Sequence, residues 1–320
     1  MKLSVFSVVL GGLPFEEACR FLSGQGVDAV EIGCGGNPGK QHCDPKALLG
    51  NKAAKKEFLS ILSDNNLSIA ALSCHGNPVH PDPKVARAFH EDFEDAVRLA
   101  AELQVDRVVT FSGCPGGSRE DRMPNWVTCA WPDDFQEILS YQWDDVLIPY
   151  WQKEAEFVKS QGINKVALEM HPGFCVYNPE TLLRLRDAAG EVIGANLDPS
   201  HLFWQGIDTT RAIRALGKAI HFFHAKDTSF DPTNNPVNGV LDYKHYGHPG
   251  RSWVFRTVGY GHDQLTWNRI ISALRQAGYD GPISIEHEDA LMSGKEGLTK
   301  AIHFLKDVLI KESAGEMYWA

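Results

Sequence analysis

The chain has 320 residues, of which 43% are hydrophobic, and it carries a formal net charge of -10 at pH 7. This length is enough to bury a substantial core, in either one large α/β barrel or two ordinary domains. The negative charge argues against a nucleic-acid partner, because non-specific nucleic-acid binding depends on Lys and Arg side chains that displace counterions.

The first 14 residues combine a lysine with an apolar run, as a signal peptide does. They lack a small-x-small cleavage pattern and an amphipathic helix follows at once, so we predict that they form a first β-strand. No later segment approaches the roughly 20 apolar residues that a membrane span needs, so we expect no membrane partner. Seven cysteines, an odd number without a C-x-x-C pair, favour a reducing cytoplasm over a disulfide framework.

Short apolar runs alternate with amphipathic helical runs along the whole chain. The runs predicted as strands are 3–10, 29–34, 68–76, 107–114, 165–172, 192–201, 220–227 and 282–289. The runs predicted as helices are 14–26, 51–66, 85–104, 144–162, 179–190, 209–218, 265–278 and 297–312. Glycines stand where a left-handed cap would close four of these helices, at Gly26, Gly162, Gly190 and Gly278. Eight strand and helix repeats in strict order predict a single-domain (β/α)8 TIM barrel of parallel strands over residues 1–320.

The predicted loops from strand to helix are unequal in length, and the longest cover residues 115–140 and 228–264. In a barrel these loops all lie on one rim, the rim that carries the active site. They contain aromatic residues that either wall a polar pocket, pack as ordinary loop residues or form a subunit contact: Trp126, Trp131, Tyr243, Tyr246, Trp253 and Tyr260. From these residues and the terminal segment 317–320 we predict a homo-oligomer.

Four of the predicted strands end in side chains that bind metal ions in other proteins. They are Glu169, Asp198, His224 and Glu286, and strand alternation places each on the inward face of the barrel. A salt bridge or a hydrogen-bonded polar group in the core would explain any one of them alone. Three unpaired carboxylates close together repel one another, and a divalent cation relieves that repulsion. Together, the four residues at corresponding strand ends favour a metal site.

With these motifs the chain resembles the xylose isomerase-like barrel superfamily of sugar phosphate isomerases and epimerases. That group includes D-tagatose 3-epimerase, inosose dehydratase and an AP-endonuclease branch, and the resemblance covers nearly the whole chain. Its specific parts are Glu169 in ALEMHP, Asp198 and His201 in DPSH, His224 to Asp227 in HAKD, Glu286 in SIEHED, and Arg256, Gly259 and Gly261 in RTVGYG.

The resemblance implies a metal-dependent sugar isomerase or epimerase. In this chain Glu169 and Glu286 would be the base and acid on either side of the reacting carbon, and His201 would contact a substrate oxygen. A cation that polarises a ketose carbonyl acidifies the neighbouring C–H group, and two opposed carboxylates can then exchange the proton. Oxygen-rich ligation with one imidazole suits Mn²⁺, with Mg²⁺, Co²⁺ or Zn²⁺ as alternatives.

Further residues are candidates for binding a sugar. His75 and His171 face inward and either bind sugar hydroxyls or are structural histidines. Lys226 either pairs with a carboxylate or stabilises an enediolate, and we favour the second role. Arg256 is the fourth substrate-binding candidate, from the glycine-containing motif that the resemblance identifies.

Two departures from the epimerase pattern keep other reactions open. Phe230 stands where the epimerases carry a substrate-binding Arg, and Cys175 stands where they carry a second Glu. The HAKD form of the metal motif is closer to inosose dehydratase. A lyase of that type, or one that cleaves 3-keto-C-glycosides, is therefore the first alternative.

A nuclease and a non-catalytic sugar-binding barrel are the remaining alternatives. The nuclease branch adds a His at strand four and an Asp-x-His pair after strand seven. Here strand four ends in FSGC, and Asp242, His245 and His248 lack that spacing, although His75 matches the strand-three His of that branch. The net charge of -10 also disfavours DNA as a substrate. A sugar-binding barrel would bind its ligand without proton exchange.

Overall fold

Eight parallel strands form a closed barrel in the computed structural model, which describes residues 1–313 and 315–317. The strands are β1 (Lys2–Phe6), β2 (Ala29–Gly33), β3 (Ser68–Ser73), β4 (Arg107–Phe111), β5 (Lys165–Glu169), β6 (Ile193–Leu197), β7 (Ile220–Ala225), β8 (Asp227–Phe230), β9 (Trp253–Arg256) and β10 (Pro282–Ile285). Around the barrel the order is β1-β10-β7-β6-β5-β4-β3-β2, while β8 and β9 form a separate antiparallel ribbon. The predicted (β/α)8 barrel is confirmed. Most of the terminal segment 317–320 lies outside the described residues.

All eight predicted helices are present, with shorter helices added in the loops. The helices are α1 (Phe15–Gly24), α2 (Pro45–Leu48), α3 (Lys52–Asp64), α4 (Pro83–Leu103), α5 (Asp134–Ser140), α6 (Ile148–Ser160), α7 (Pro179–Ala189), α8 (Pro199–Trp204), α9 (Thr209–Leu216), α10 (Asn235–Asn238), α11 (Gln264–Gln276) and α12 (Gly294–Val308). A π-helical segment, Tyr141–Leu147, joins α5 to α6. The four glycines predicted to close helices all have positive φ, which residues with a side chain rarely adopt.

All eight predicted strands end one to four residues earlier in the structure than in the sequence pattern, and two of these ends show why. The first strand stops at Phe6, and Ser7–Leu10 form a 3-10 turn. The sixth strand stops at Leu197 because Asp198 begins helix α8: its carboxylate accepts a 2.8 Å hydrogen bond from the backbone N–H of Ser200. Pro199 fits the first turn of that helix, since a proline has no N–H to leave unpaired there.

The two long rim loops also contain secondary structure that the sequence pattern did not show. The last seven residues of the loop predicted over 115–140 form α5. The loop predicted over 228–264 contains the ribbon of β8 and β9, in which Phe230 pairs with Trp253 and Asp227 pairs with Arg256. β8 (DTSF) follows β7 after Lys226 alone and contains one apolar residue, so no separate strand pattern marks it in the sequence.

Asp227 fixes the return of the chain from β9 to α11. Its carboxylate accepts hydrogen bonds from the backbone N–H groups of Gly259, Gly261 and His262 and from the side chains of His262 and Trp267. An added Cβ at Gly261 would collide with the carbonyl oxygen of Thr228, so this close approach requires glycine. The RTVGYG motif therefore has a structural role in holding the ribbon against the barrel.

Small and apolar residues fill the part of the barrel interior below the strand ends. This inner cluster consists of Ala29, Ala70, Ala71, Val109, Ala167 and Phe222. Val166 and Leu168, which flank Ala167 in β5, belong instead to the larger core between strands and helices. The inward face of β5 predicted from alternation is therefore correct, and it ends in Glu169.

Among the described residues, no helix combines the length and apolarity that crossing a bilayer requires.

Glu154 of α6 is a buried carboxyl group in the outer helix layer. Neither of its oxygens has a hydrogen-bond partner among the described residues. Burial raises the pKa of Glu154, and His90 Nδ1 at 3.7 Å and Lys153 Nζ at 3.8 Å lower it by less. Since the folded state then holds the proton more tightly than the unfolded state does, Glu154 reduces stability as pH rises above the ordinary carboxyl range.

We expect Glu154→Gln to remove that loss. The variant should match the parent near pH 4 and exceed it at pH 8 by on the order of 1 kcal/mol in the free energy of unfolding. Urea denaturation at both pH values measures the difference, and Glu156→Gln, an exposed position on the same helix, is the control. If Glu154→Gln and Glu156→Gln show the same pH dependence, the buried carboxyl group carries no such cost.

Candidate metal centre

The structure brings the four predicted metal ligands together at the carboxyl end of the barrel. Glu169 is the last residue of β5, Asp198 follows β6 directly, His224 lies in β7, and Glu286 follows β10. One ligand atom from each lies within 4.8 Å of the others. Because parallel strands end at one rim, residues far apart in sequence meet there.

Glu169 lies at the middle of a hydrogen-bond network. One carboxylate oxygen lies 3.0 Å from His201 Nε2, and the other lies 3.0 Å from His75 Nε2 and 3.3 Å from Asn196 Nδ2. Burial alone would raise the pKa of Glu169, but the bonds from His201, His224 and His75 outweigh it and hold that pKa well below its usual range. Glu169 is therefore an ionised carboxylate.

His224 is held from behind by Glu31, a residue that the sequence analysis did not include in the site. Nε2 of His224 lies 2.9 and 3.0 Å from the two carboxylate oxygens of Glu31. Ser73 and Ser284 each donate a hydroxyl hydrogen bond to Glu31, at 2.5 and 2.6 Å. Because the Glu31 carboxylate accepts a hydrogen bond from the Nε2–H group, Nδ1 is directed toward Glu169 and Glu286, at 3.4 and 3.3 Å.

Lys226 contributes a buried positive charge to the centre. Its Nζ lies 2.7 Å from Glu286, 2.8 Å from Glu288 and 3.2 Å from Asp198, and its side chain is 2% exposed. Burial lowers the pKa of Lys226, but Asp198, Glu286 and Glu288 hold it well above its usual value. Of the two roles predicted for Lys226, the structure shows the pairing with carboxylates.

The pKa values of Asp198 and Glu286, the two candidate ligands beside Lys226, are shifted in opposite directions. Burial raises the pKa of Asp198, and Lys226 and His201 lower it by less. Burial also acts to raise the pKa of Glu286, but Lys226 and His224 together outweigh it and place that pKa below the usual value. For His224, burial acts to lower the pKa, and Glu31 and Glu286 raise it well above normal.

Among the four candidate ligands, two buried atoms, Asp198 Oδ2 and His224 Nδ1, make no well-aligned hydrogen bond with the described residues. Lys226 Nζ lies 3.2 Å from Asp198 Oδ2, and Glu286 lies 3.3 Å from His224 Nδ1, so both atoms have charged neighbours without a hydrogen bond of good geometry. Buried polar atoms are nearly always satisfied, so two unsatisfied atoms within one cluster call for a bound group. Three carboxylates and one imidazole nitrogen form a donor set that suits a divalent cation. The atoms that lack a hydrogen bond and the type of donor atoms are therefore both compatible with a bound metal ion.

The other predicted sugar-binding residues lie at different distances from this centre. His201 Nε2 is also 3.4 Å from Asp198, and the rings of His171 and His201 are 4.1 Å apart. Burial lowers the pKa of both histidines, so they are neutral near pH 7. Arg256 instead pairs with Asp289 at 3.0 Å, on the ribbon.

A pocket of about 400 Å³ opens from His171 and His201 toward the rim. Four of the six loop aromatics named from the sequence line it, namely Trp126, Tyr243, Tyr246 and Trp253. Of the three roles that the sequence left open for these aromatics, lining a pocket is therefore the one seen for these four, although the pocket wall is largely apolar. The pocket is in the position where (β/α)8 barrels carry their active sites.

The closed barrel and the buried acidic cluster at its carboxyl rim define a (β/α)8 protein with the architecture of a barrel enzyme. The chain belongs to the xylose isomerase-like TIM barrel family, whose family model matches residues 19–308. The uncharacterized protein YfiH of Bacillus subtilis (strain 168) is 41% identical over 313 residues, which cover 97% of this chain and 99% of the relative.

Solved structures show the same fold at low sequence identity. The probable 3-DHS dehydratase AsbF from Bacillus anthracis has a TM-score of 0.67 at 18% identity, covering 96% of this chain and 99% of its own. The IolI protein with a bound zinc atom has a TM-score of 0.66 at 20% identity, covering 97% and 98%. D-psicose 3-epimerase, solved with D-fructose, has a TM-score of 0.63 at 15% identity, covering 97% and 99%.

Proposed function

We propose that the protein is a divalent-metal-dependent sugar isomerase or epimerase that acts on a ketose or keto-sugar by proton transfer. The observation that carries the proposal is the meeting of Glu169 and Glu286 with the unsatisfied atoms of Asp198 and His224 at one buried point. Family membership and the structural likeness to D-psicose 3-epimerase support it.

The proposed ligands are the carboxylates of Glu169, Asp198 and Glu286 and Nδ1 of His224. Mn²⁺ is the proposed ion, with Mg²⁺, Co²⁺ or Zn²⁺ as alternatives, and the zinc atom of IolI supports a divalent cation. A cation bound here would polarise a substrate carbonyl and acidify the adjacent C–H group.

The side chains of this chain would perform the remaining steps. Glu169 and Glu286 are both ionised, so either can accept the proton from the reacting carbon and return it to a neighbouring atom. His201 and His171 are neutral and line the pocket, where they can hydrogen-bond sugar oxygens. Lys226 is proposed to stabilise the negative oxygen of the enediolate, and His75 orients Glu169.

Elimination is the second candidate function, and the position of Lys226 favours it. A Lys226 ammonium 2.7 Å from Glu286 can donate a proton to a hydroxyl group that leaves from the carbon next to the enolate. The C–O bond would break, water would form, and the electron pair of the enolate would become a double bond. The likeness to AsbF, a probable 3-DHS dehydratase, supports this alternative.

Proton exchange with solvent tests the proposed function. Mn²⁺-loaded protein is incubated in D₂O with ketoses, inososes and 3-keto-glycosides, and the products are examined by NMR. We expect deuterium on a carbon next to the carbonyl, together with an epimer or isomer, and no exchange in chelator-treated protein. Loss of water or release of an aglycone would assign a lyase instead. Binding of a sugar without exchange from any compound would indicate a sugar-binding barrel, and cleavage of abasic DNA a nuclease.

We also propose a cytoplasmic homo-oligomer. All seven cysteines are unpaired in the structure, which is typical of a reducing compartment. Several rim residues are exposed, including Tyr243 at 97% and Trp131 at 79%, and large exposed apolar side chains are typical of contact surfaces.

A further inference from the structure

We propose that the rim pocket binds an aromatic or other apolar substituent of the substrate, so that the substrate is a keto-sugar glycoside rather than a free monosaccharide or a sugar phosphate. This inference rests on the proposed function, because it takes the sugar part of the substrate to lie at the metal centre.

The pocket is continuous with the proposed reaction site. His171 and His201 form its inner end, and His201 lies 3.0 Å from the Glu169 carboxylate. A group that occupies the pocket is therefore attached to, or next to, the atoms held at the metal centre. Its volume of about 400 Å³ falls within the roughly 300–1,000 Å³ of pockets that hold drug-sized ligands, so it has room for a ring beyond a single sugar.

Aromatic side chains supply five of the fourteen residues that line the pocket. Trp204 and Trp253 stack with ring centroids 4.7 Å apart and an interplanar angle of 8°, which makes a rigid wall. Tyr246 packs 6.2 Å from Trp253 and is still 61% exposed, and Tyr243 is almost fully exposed beside it. Trp204 and Trp253 are buried and support the wall from behind, so Trp126, Tyr243 and Tyr246 are the rings that can offer apolar faces to a ligand.

The charged residues of the pocket are already paired with protein groups. Asp242 accepts hydrogen bonds from the backbone N–H of Ser252 at 2.7 Å and lies 2.8 Å from Lys244 Nζ. The Arg251 guanidinium lies 4.6 Å from the centres of both the Tyr246 and the Trp253 ring, and its Nε donates to a backbone carbonyl at 3.0 Å. Arg251 is 3% exposed. A phosphate would therefore find no free cation among the lining residues, whereas an apolar ring would meet aromatic surface.

Matched glycosides test the inference by binding alone. Calorimetry compares the methyl and phenyl glycosides of one hexose with the corresponding hexose 6-phosphate, using Mn²⁺-loaded protein. We expect the phenyl glycoside to bind roughly tenfold more tightly than the methyl glycoside. The hexose 6-phosphate should bind no more tightly than the methyl glycoside. Tyr246→Ala should weaken phenyl binding by roughly two- to tenfold and leave methyl binding unchanged.

Two further variants separate pocket binding from effects on folding or assembly. Tyr243→Ala removes an almost fully exposed ring and should reproduce the loss without disturbing packing. Trp131→Ala removes another exposed aromatic of the rim, from outside the lining, and should change neither affinity. Light scattering on the same samples reports assembly. A change in mass with an unchanged phenyl preference would assign the tyrosines to a subunit contact and overturn the inference.

Other outcomes also overturn the inference. Equal binding of the methyl and phenyl glycosides, no binding of either, or tighter binding of the phosphate would each do so. The assay requires no turnover, so its result is independent of the deuterium-exchange experiment. A phenyl preference without exchange from any sugar would refute the proposed reaction and leave the pocket assignment standing.

Discussion

Glu169→Gln, Asp198→Asn, His224→Ala and Glu286→Gln will each lower metal content and turnover together. Each change removes one of the four side chains that meet within 4.8 Å. In the proposed function, loss of a ligand would weaken binding of the cation that is proposed to polarise the carbonyl, and at Glu169 and Glu286 it would also remove a proposed proton acceptor. We expect turnover to fall by roughly 10²–10⁴-fold for those two positions. Elemental analysis after dialysis and turnover at saturating metal measure both effects.

Glu288→Gln is the matched control for this series. Glu288 lies 2.8 Å from Lys226, as Glu286 does at 2.7 Å, but it is outside the group of four. We expect this variant to keep its metal, which separates ligation from a general loss of negative charge. Full metal occupancy in all four ligand variants would disprove the assignment of the centre.

Glu31→Gln is expected to weaken metal binding by about 10–100-fold, although Glu31 is not a ligand. The Glu31 carboxylate holds the proton of His224 on Nε2, at 2.9 Å, and so keeps Nδ1 available for a metal. A neutral amide of the same size accepts that proton less strongly and also presents an NH₂ group to the imidazole. Titration of the metal-free protein with Mn²⁺ measures the dissociation constant.

Ser284→Ala provides the comparison for Glu31. It removes one hydrogen bond to the carboxylate and leaves the contact with His224 in place, so we expect only a few-fold loss of metal affinity. Excess Mn²⁺ should restore much of the turnover of Glu31→Gln, since the reacting residues are unchanged. If Glu31→Gln lowered only the melting temperature and kept its metal affinity, Glu31 would be a structural residue of the barrel.

The sequence was sufficient to predict the barrel because strand alternation and helix periodicity repeat eight times. It was less accurate at strand ends, because a single side chain can determine where a strand stops. The predicted strand through His201 ends at Leu197 because the Asp198 side chain caps a helix. The ribbon of β8 and β9 was missed because Lys226 alone separates β7 from β8, and 22 residues lie between Phe230 and the start of the partner strand at Trp253.

The four candidate metal ligands were predictable because each is a carboxylate or an imidazole at the end of a predicted strand. Glu31 was missed, although it is a carboxylate within an apolar strand in the same way as Glu169 and could have been found by the same criterion. The partners of Lys226 and Arg256 depend on distances across the barrel, which no local pattern contains. The pairing of Arg256 with Asp289 is one such contact.

The ribbon of β8 and β9, held at Asp227, keeps part of the pocket wall on a segment of its own, apart from the candidate metal ligands. Phe230 and Trp253 are paired neighbours at the ends of the excursion 231–252, and the Asp227 carboxylate anchors the chain that returns from it. The excursion supplies two of the five aromatic residues that line the pocket, Tyr243 and Tyr246, whereas the four candidate metal ligands lie outside it. An insertion or replacement between these two positions would therefore reshape the wall while His224 keeps its place. Sequence changes confined to that segment would therefore alter the proposed substrate preference while leaving the candidate metal centre intact.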